Sequence, residues 1–99
     1  MGKVLFTISY EVLPDKRDEY LAVTKLMKEH LAGAKGKNYS VYEQKGKKNG
    51  FSEVFVCGSV EEYDKLEDDQ DETTEALVRQ LEGYLANGKM KYTTLIELD

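Results

Sequence analysis

Tryptophan is absent from this chain, and cysteine, proline and histidine occur once each, as Cys57, Pro14 and His30. Each scarcity closes off a class of function. A lone cysteine excludes an internal disulfide framework, and one histidine falls short of a centre built on several imidazoles. No apolar run approaches the roughly 20 residues that span a bilayer, so no membrane contact is expected. The opening MGKVLF lacks a signal-peptide pattern, and Phe6 stands where an N-myristoylation motif needs Ser or Thr. The expectation is a cytoplasmic protein, in which the Asn38-Tyr39-Ser40 glycosylation triplet has no meaning. Basic residues are also in deficit. Fourteen Lys and Arg against 19 Asp and Glu leave a net charge of −5, which argues against nucleic acid as a partner because phosphate neutralisation drives that affinity.

What is present is enough for one core. With 99 residues and 40% hydrophobic content, residues 1–99 read as a single domain. A chain this short buries only about 60–65% of its unfolded surface, so pairing with a second copy is a direct way to gain stability.

From Val4 to Val12 the residues alternate, with Phe6, Ile8, Tyr10 and Val12 on one side and Leu5, Thr7, Ser9 and Glu11 on the other, the mark of a strand. Pro14 and Asp15 stop it and offer a helix start. Tyr20, Val23, Leu26, Met27 and Leu31 then recur at helical spacing. The glycines of GAKGKN end that helix, and YSVYEQK and FSEVFVC form a strand pair around GKKNG, where Asn49-Gly50 marks the hairpin. Ser59 and Glu62 have capping-box spacing, and Asp69 and Glu72 repeat it, so the second helical region divides into two pieces. Met90, Tyr92, Thr94, Ile96 and Leu98 mark a last strand. The order β-α-β-β-α-β predicts an α+β, ferredoxin-like domain: a four-stranded antiparallel sheet with its helices on one face.

The phase of the third strand decides the second face. With Val54 and Val56 turned to the helices, Phe51, Glu53, Phe55 and Cys57 join Leu5, Thr7 and Ser9 on the open side. Two phenylalanines and a cysteine suit open water poorly, so that side is expected to be covered by a second copy.

On these features the chain resembles the dimeric α+β barrel superfamily. LPDKRDEYLAVTKLM is similar to its first turn and helix, and FSEVFVCGSVEEYDKLEDD to its third strand and serine-capped helix. The resemblance implies two ferredoxin-like domains packed sheet to sheet around a cavity, as in antibiotic-biosynthesis-monooxygenase-like and stress-responsive members. Those oxygenase and haem-degrading branches place a tryptophan near the end of the third strand and a histidine on the next helix. This chain has neither, so their sites are not carried over.

The stretch Glu61 to Glu75 holds nine acids and one lysine. Calcium needs converging carboxylates, but a loop starting at Glu67 puts Glu72 where glycine is required and Val78 where the bidentate glutamate belongs. The run reads as a solvated surface between helix pieces, anchored inward by Tyr63 and Leu66, and no metal is expected.

The candidate catalytic groups are Glu53, as the one acid on an apolar strand side, with Tyr42 as a hydroxyl donor and His30 as a base. Phe51, Phe55, Cys57, Tyr92 and Thr7 are the candidate ligand contacts. Each has an ordinary role as well: His30 as a cation at a helix end, Cys57 as a small buried apolar group, and strand tyrosines as core-edge packing. Lys35, Lys37, Lys45, Lys47 and Lys48 read as protection of an edge strand. The expectation is a homodimer enclosing an apolar cavity for a small organic ligand, aromatic or polyketide-like, acting without cofactor. The alternative is a non-catalytic module with a filled barrel.

Overall fold

The computed structural model describes residues 2–68 and 71–98, apart from the side chain of Glu67. Strand β1 spans Val4–Glu11. A single 3-10 turn, Pro14–Lys16, leads into α1, Arg17–Lys28, which runs on into a π-type turn, Glu29–Ala34. Strands β2 (Tyr39–Glu43) and β3 (Gly50–Cys57) follow. Helices α2 (Val60–Asp68) and α3 (Glu72–Glu82) precede β4, Lys91–Ile96. The sheet order is β2-β3-β1-β4, every neighbouring pair antiparallel, which is the expected ferredoxin-like topology.

Local chemistry explains the breaks. Asn49 sits at φ 66, the left-handed conformation that asparagine tolerates at a hairpin turn. Arg17 clamps that hairpin to the start of α1, donating to both Glu43 oxygens at 2.6 and 2.8 Å and to Asn49 Oδ1 at 2.9 Å. The Ser59 hydroxyl caps Glu62 N–H at 3.2 Å, as its spacing predicts. The Glu62 carboxylate reaches one residue further back than a capping box requires and accepts from Gly58 N–H at 2.6 Å. At α3 the cap is Asp71, which accepts from Thr74 N–H at 2.7 Å; the expected cap residue Asp69 lies outside the described residues.

The third strand corrects the expected phase. Phe6 pairs with Phe55, Ile8 with Glu53 and Tyr10 with Phe51, and directly paired residues share a sheet face. Tyr10, Tyr39 and Phe51 belong to the buried cluster with Tyr20, Val23, Met27 and Leu31 of the helix layer. Phe51, Glu53, Phe55 and Cys57 therefore face the helices, while Val54 and Val56 join Thr7 and Leu5 on the open face. A one-residue slip swaps every side chain across a sheet. What decides it is volume: two large rings fill the helix layer where two valines would leave voids. Tyr20 and Phe51 pack with ring centroids 4.4 Å apart, Tyr39 and Phe55 at 4.9 Å, spacings at which aromatic pairs gain beyond their burial.

Candidate functional site

The helix layer covers the sheet unevenly. Over β2, β3 and the end of β1, helix α1 builds a solid core. Toward β4 the cover thins: Tyr92, Thr94 and Ile96 lie on the helix side, paired with Ile8, Phe6 and Val4, yet Tyr92 is 61% and Ile96 58% exposed. Between sheet and helices this leaves a cavity of about 560 Å³, within the range of small-molecule sites.

Aromatic rings form much of its wall. Phe6 is the hub, 6.1 Å from a nearly parallel Tyr92, 5.7 Å from Tyr63 and 6.1 Å from Phe55. Tyr63 ties α2 to β4 through its hydroxyl, 3.0 Å from Thr94 Oγ1. Leu66, beside Tyr63 on α2, is the second expected inward anchor and also lines the cavity. Met27, Val78 and Leu81 close the helix side, and among the described residues Lys37 and Glu53 are its charged-type side chains.

Glu53 is only 3% exposed. Its Oε1 accepts from the Tyr39 hydroxyl at 2.7 Å and its Oε2 from the Tyr10 hydroxyl at 2.8 Å. Tyr10 in turn lies 2.7 Å from the Tyr20 hydroxyl. Four residues from β1, α1, β2 and β3 thus share one buried hydrogen-bond chain. Burial disfavours the charged carboxylate and raises the Glu53 pKa, an effect that the two phenol donors partly offset. Burial likewise raises Tyr10, Tyr39 and Tyr20, with the nearby Glu53 acting in the same direction. The three phenols stay protonated.

The expected site residues divide three ways. Glu53, Phe55 and Tyr92 line the cavity. Phe51 and Cys57 share its sheet face but serve the core: Phe51 packs on Tyr20 beneath the Arg17 guanidinium, 5.4 Å from its ring centre, and Cys57 is buried opposite Val4. Desolvation raises the Cys57 thiol pKa, aided by Glu62, the reverse of what a nucleophile needs. Thr7 and Tyr42 are on the other face. Thr7 donates to Thr93 O at 3.4 Å, and Tyr42, paired with Ser52, is 58% exposed. Tyr42 is therefore no donor to a group beside Glu53; Tyr10 and Tyr39 hold that place. His30 is absent from the cavity wall and from the tyrosine chain. Its Nε2 lies 3.0 Å from Asp71 Oδ2, which Lys35 Nζ also meets at 3.1 Å, so it fastens the end of the first helical segment to the α3 cap. Backbone and side-chain bonds from Thr74, then Lys35 and His30, hold the Asp71 carboxyl well below its ordinary range.

Sequence reasoning missed Phe6, Met27 and the Tyr39 and Tyr20 partners of Glu53. The signal was available: one acid on an apolar strand side, with tyrosines at in-phase positions of both neighbouring strands.

No family model matches the chain, and no curated protein does. Solved structures match over nearly its whole length. A conserved protein from Methanosarcina mazei Go1 superposes with a TM-score of 0.83 at 14% identity, covering 99% of this chain and 95% of that one. An antibiotic biosynthesis monooxygenase gives 0.80 at 10% identity, covering 97% and 99%, and Rv0793 from Mycobacterium tuberculosis gives 0.76 at 18%, covering 98% and 96%. At such identities the likeness is one of fold, and the chain has the α+β ferredoxin-like fold of antibiotic biosynthesis monooxygenase-like proteins.

Proposed function

We propose that this chain binds, and acts without cofactor on, a small aromatic or polyketide-like ligand held between its sheet and its helices. The observation that carries the reading is the cavity of about 560 Å³, walled by aromatic rings and reaching a single buried carboxyl group. Such a wall takes up a planar apolar body, and one placed polar group fixes its orientation. Glu53 is the acid or base and its tyrosine partners are the positioning donors. Several structural neighbours bear the name antibiotic biosynthesis monooxygenase, though fold likeness alone carries no chemistry.

The same reading includes a homodimer. Leu5, Thr7, Val54, Val56, Thr93 and Leu95 make the mixed open face, with Leu5 and Leu95 exposed, and a second copy laid on it would cover them. Each protomer then keeps its own cavity, on the far side of its sheet from the partner.

The test is ligand-observed NMR with a panel of two- and three-ring aromatics. Binding by the native protein and its loss in Val78→Trp, which fills the cavity from α3, is the expected result. Equal binding by both proteins would place the ligand elsewhere.

A further inference from the structure

The tyrosine chain around Glu53 can be counted proton by proton. Three short hydrogen bonds join four side chains: Tyr20 to Tyr10, Tyr10 to Oε2, and Tyr39 to Oε1. Three phenol protons serve them. With Glu53 ionised, Tyr20 donates to Tyr10, Tyr10 and Tyr39 donate to the carboxylate, and every donor is used. With Glu53 protonated, the cluster holds a fourth proton and offers it little. Routed to the Tyr39 oxygen, it frees the Tyr39 proton toward Met27 Sδ at 3.9 Å, a weak thioether acceptor. Routed to Tyr10 and on to Tyr20, it frees the proton of a fully buried phenol. The arrangement that frees no phenol proton leaves both tyrosines donating to Glu53 and turns its own O–H outward, and Glu53 lines the cavity.

Resting on the reading of that cavity as the ligand site, we propose that Glu53 meets its ligand as a neutral carboxylic acid and donates a hydrogen bond to a carbonyl oxygen. The cavity then takes uncharged aryl ketones in preference to hydrocarbons of the same shape and to arenecarboxylates. No bond to carbon forms or breaks in this step. Burial favours the neutral acid, and the two phenol hydrogen bonds, which favour the carboxylate, offset it only in part because they bring no positive charge. Among the described residues, the other titratable groups that face the site are Tyr10 on β1, Tyr20 on α1, Tyr39 on β2, Tyr63 on α2, Tyr92 on β4, and Lys37 before β2. Lys37 is the one that would favour an anionic ligand instead.

Three naphthalene probes separate these cases: 2-acetylnaphthalene, its isostere 2-isopropenylnaphthalene, in which =CH2 replaces =O, and 2-naphthoate. Affinities are measured for the native protein and for Glu53→Gln across about pH 5 to 8, a window in which ordinary phenols and alkylammonium groups keep their charge. At the acid end the ketone is expected to bind roughly tenfold more tightly than the alkene, the value of one buried hydrogen bond. Wherever rising pH ionises Glu53, whose pKa burial raises, that ratio should fall toward one. In Glu53→Gln, whose amide donates at any pH, it should stay constant; if this variant does not fold, the native pH series decides alone. Equal ketone and alkene affinity at the acid end would overturn the neutral-acid proposal while leaving the cavity reading intact. Tightest binding of naphthoate would overturn it in favour of recognition by Lys37. Binding of none of the three would overturn the proposal together with the reading beneath it.

Discussion

The two faces of one sheet differ more than their compositions suggest. On the helix side, alternate residues of β1 and β3 pair ring with ring and acid with phenol: Phe6 opposite Phe55, Tyr10 beside Glu53. On the open side the same strands offer Thr7 opposite Val54 and Ser9 opposite Ser52, whose hydroxyls meet at 2.8 Å. The helix side spends large side chains on filling a layer about 10 Å deep, and where the helices stop short of β4 the same rings become cavity wall. The open side carries small and β-branched residues that a flat partner could lie against. Position along the strand counts for less than parity.

That contrast orders the expected effects. The largest is on packing. Phe51→Ala should cost about 3–5 kcal/mol, because the ring lies buried between Tyr20 and Arg17 and its loss leaves a cavity. Tyr42→Ala, on an exposed open-face ring, should cost less than about 0.5 kcal/mol. Urea midpoints of the two variants check the difference, and similar losses would mean that the faces are wrongly assigned. Next is the polar chain: Tyr39→Phe removes one donor from buried Glu53 and should cost about 1–3 kcal/mol in the same assay.

Assembly probes the open face directly. Light scattering should give the native protein twice the 11.3 kDa chain mass, and Val54→Lys, which puts charge in the middle of that face, should return it to one chain. The variant should still bind aromatic ligands, since its cavity lies on the other side.

The smallest effect is electrostatic, and the two glutamates differ in sign. The Arg17 hydrogen bonds, with help from Asn49 N–H, hold Glu43 down to about 2, below the ordinary carboxylate range. Its contribution is therefore present above about pH 4 and is lost as pH falls toward 2, so Glu43→Gln should flatten the acid limb of a stability profile. Glu53 is raised by burial, so the folded state holds its proton longer than the unfolded chain does. Its contribution is complete in acid and declines as pH rises through the folded value. Glu53→Gln should remove that decline. Melting temperatures across pH for both variants measure the two slopes, and slopes of the same sign would contradict the assignment.

Much of the fold was legible because it rests on local signals: the alternation from Phe6 to Val12, the stripe from Tyr20 to Leu31, the turn at Asn49-Gly50 and the Ser59 cap. The site was legible only in part. Glu53, Phe55 and Tyr92 stand out by residue type, but β3 is apolar on both sides, with Val54 and Val56 between Glu53, Phe55 and Cys57. Periodicity alone does not phase such a strand. Its phase follows from contacts distant in sequence, Tyr20 with Phe51 and Tyr39 with Glu53. Tyr42 and Thr7 were drawn to the site by the opposite phase, and His30 by its chemistry, although its partner is an α3 cap.

The most direct measurement is a methyl NMR titration of protein labelled at methionine and valine, using 2-acetylnaphthalene. The account predicts that Met27, Val78 and Met90, which line the cavity, shift on binding while Val54 and Val56 stay still. Shifts confined to Val54 and Val56 would put the ligand between sheets and contradict it.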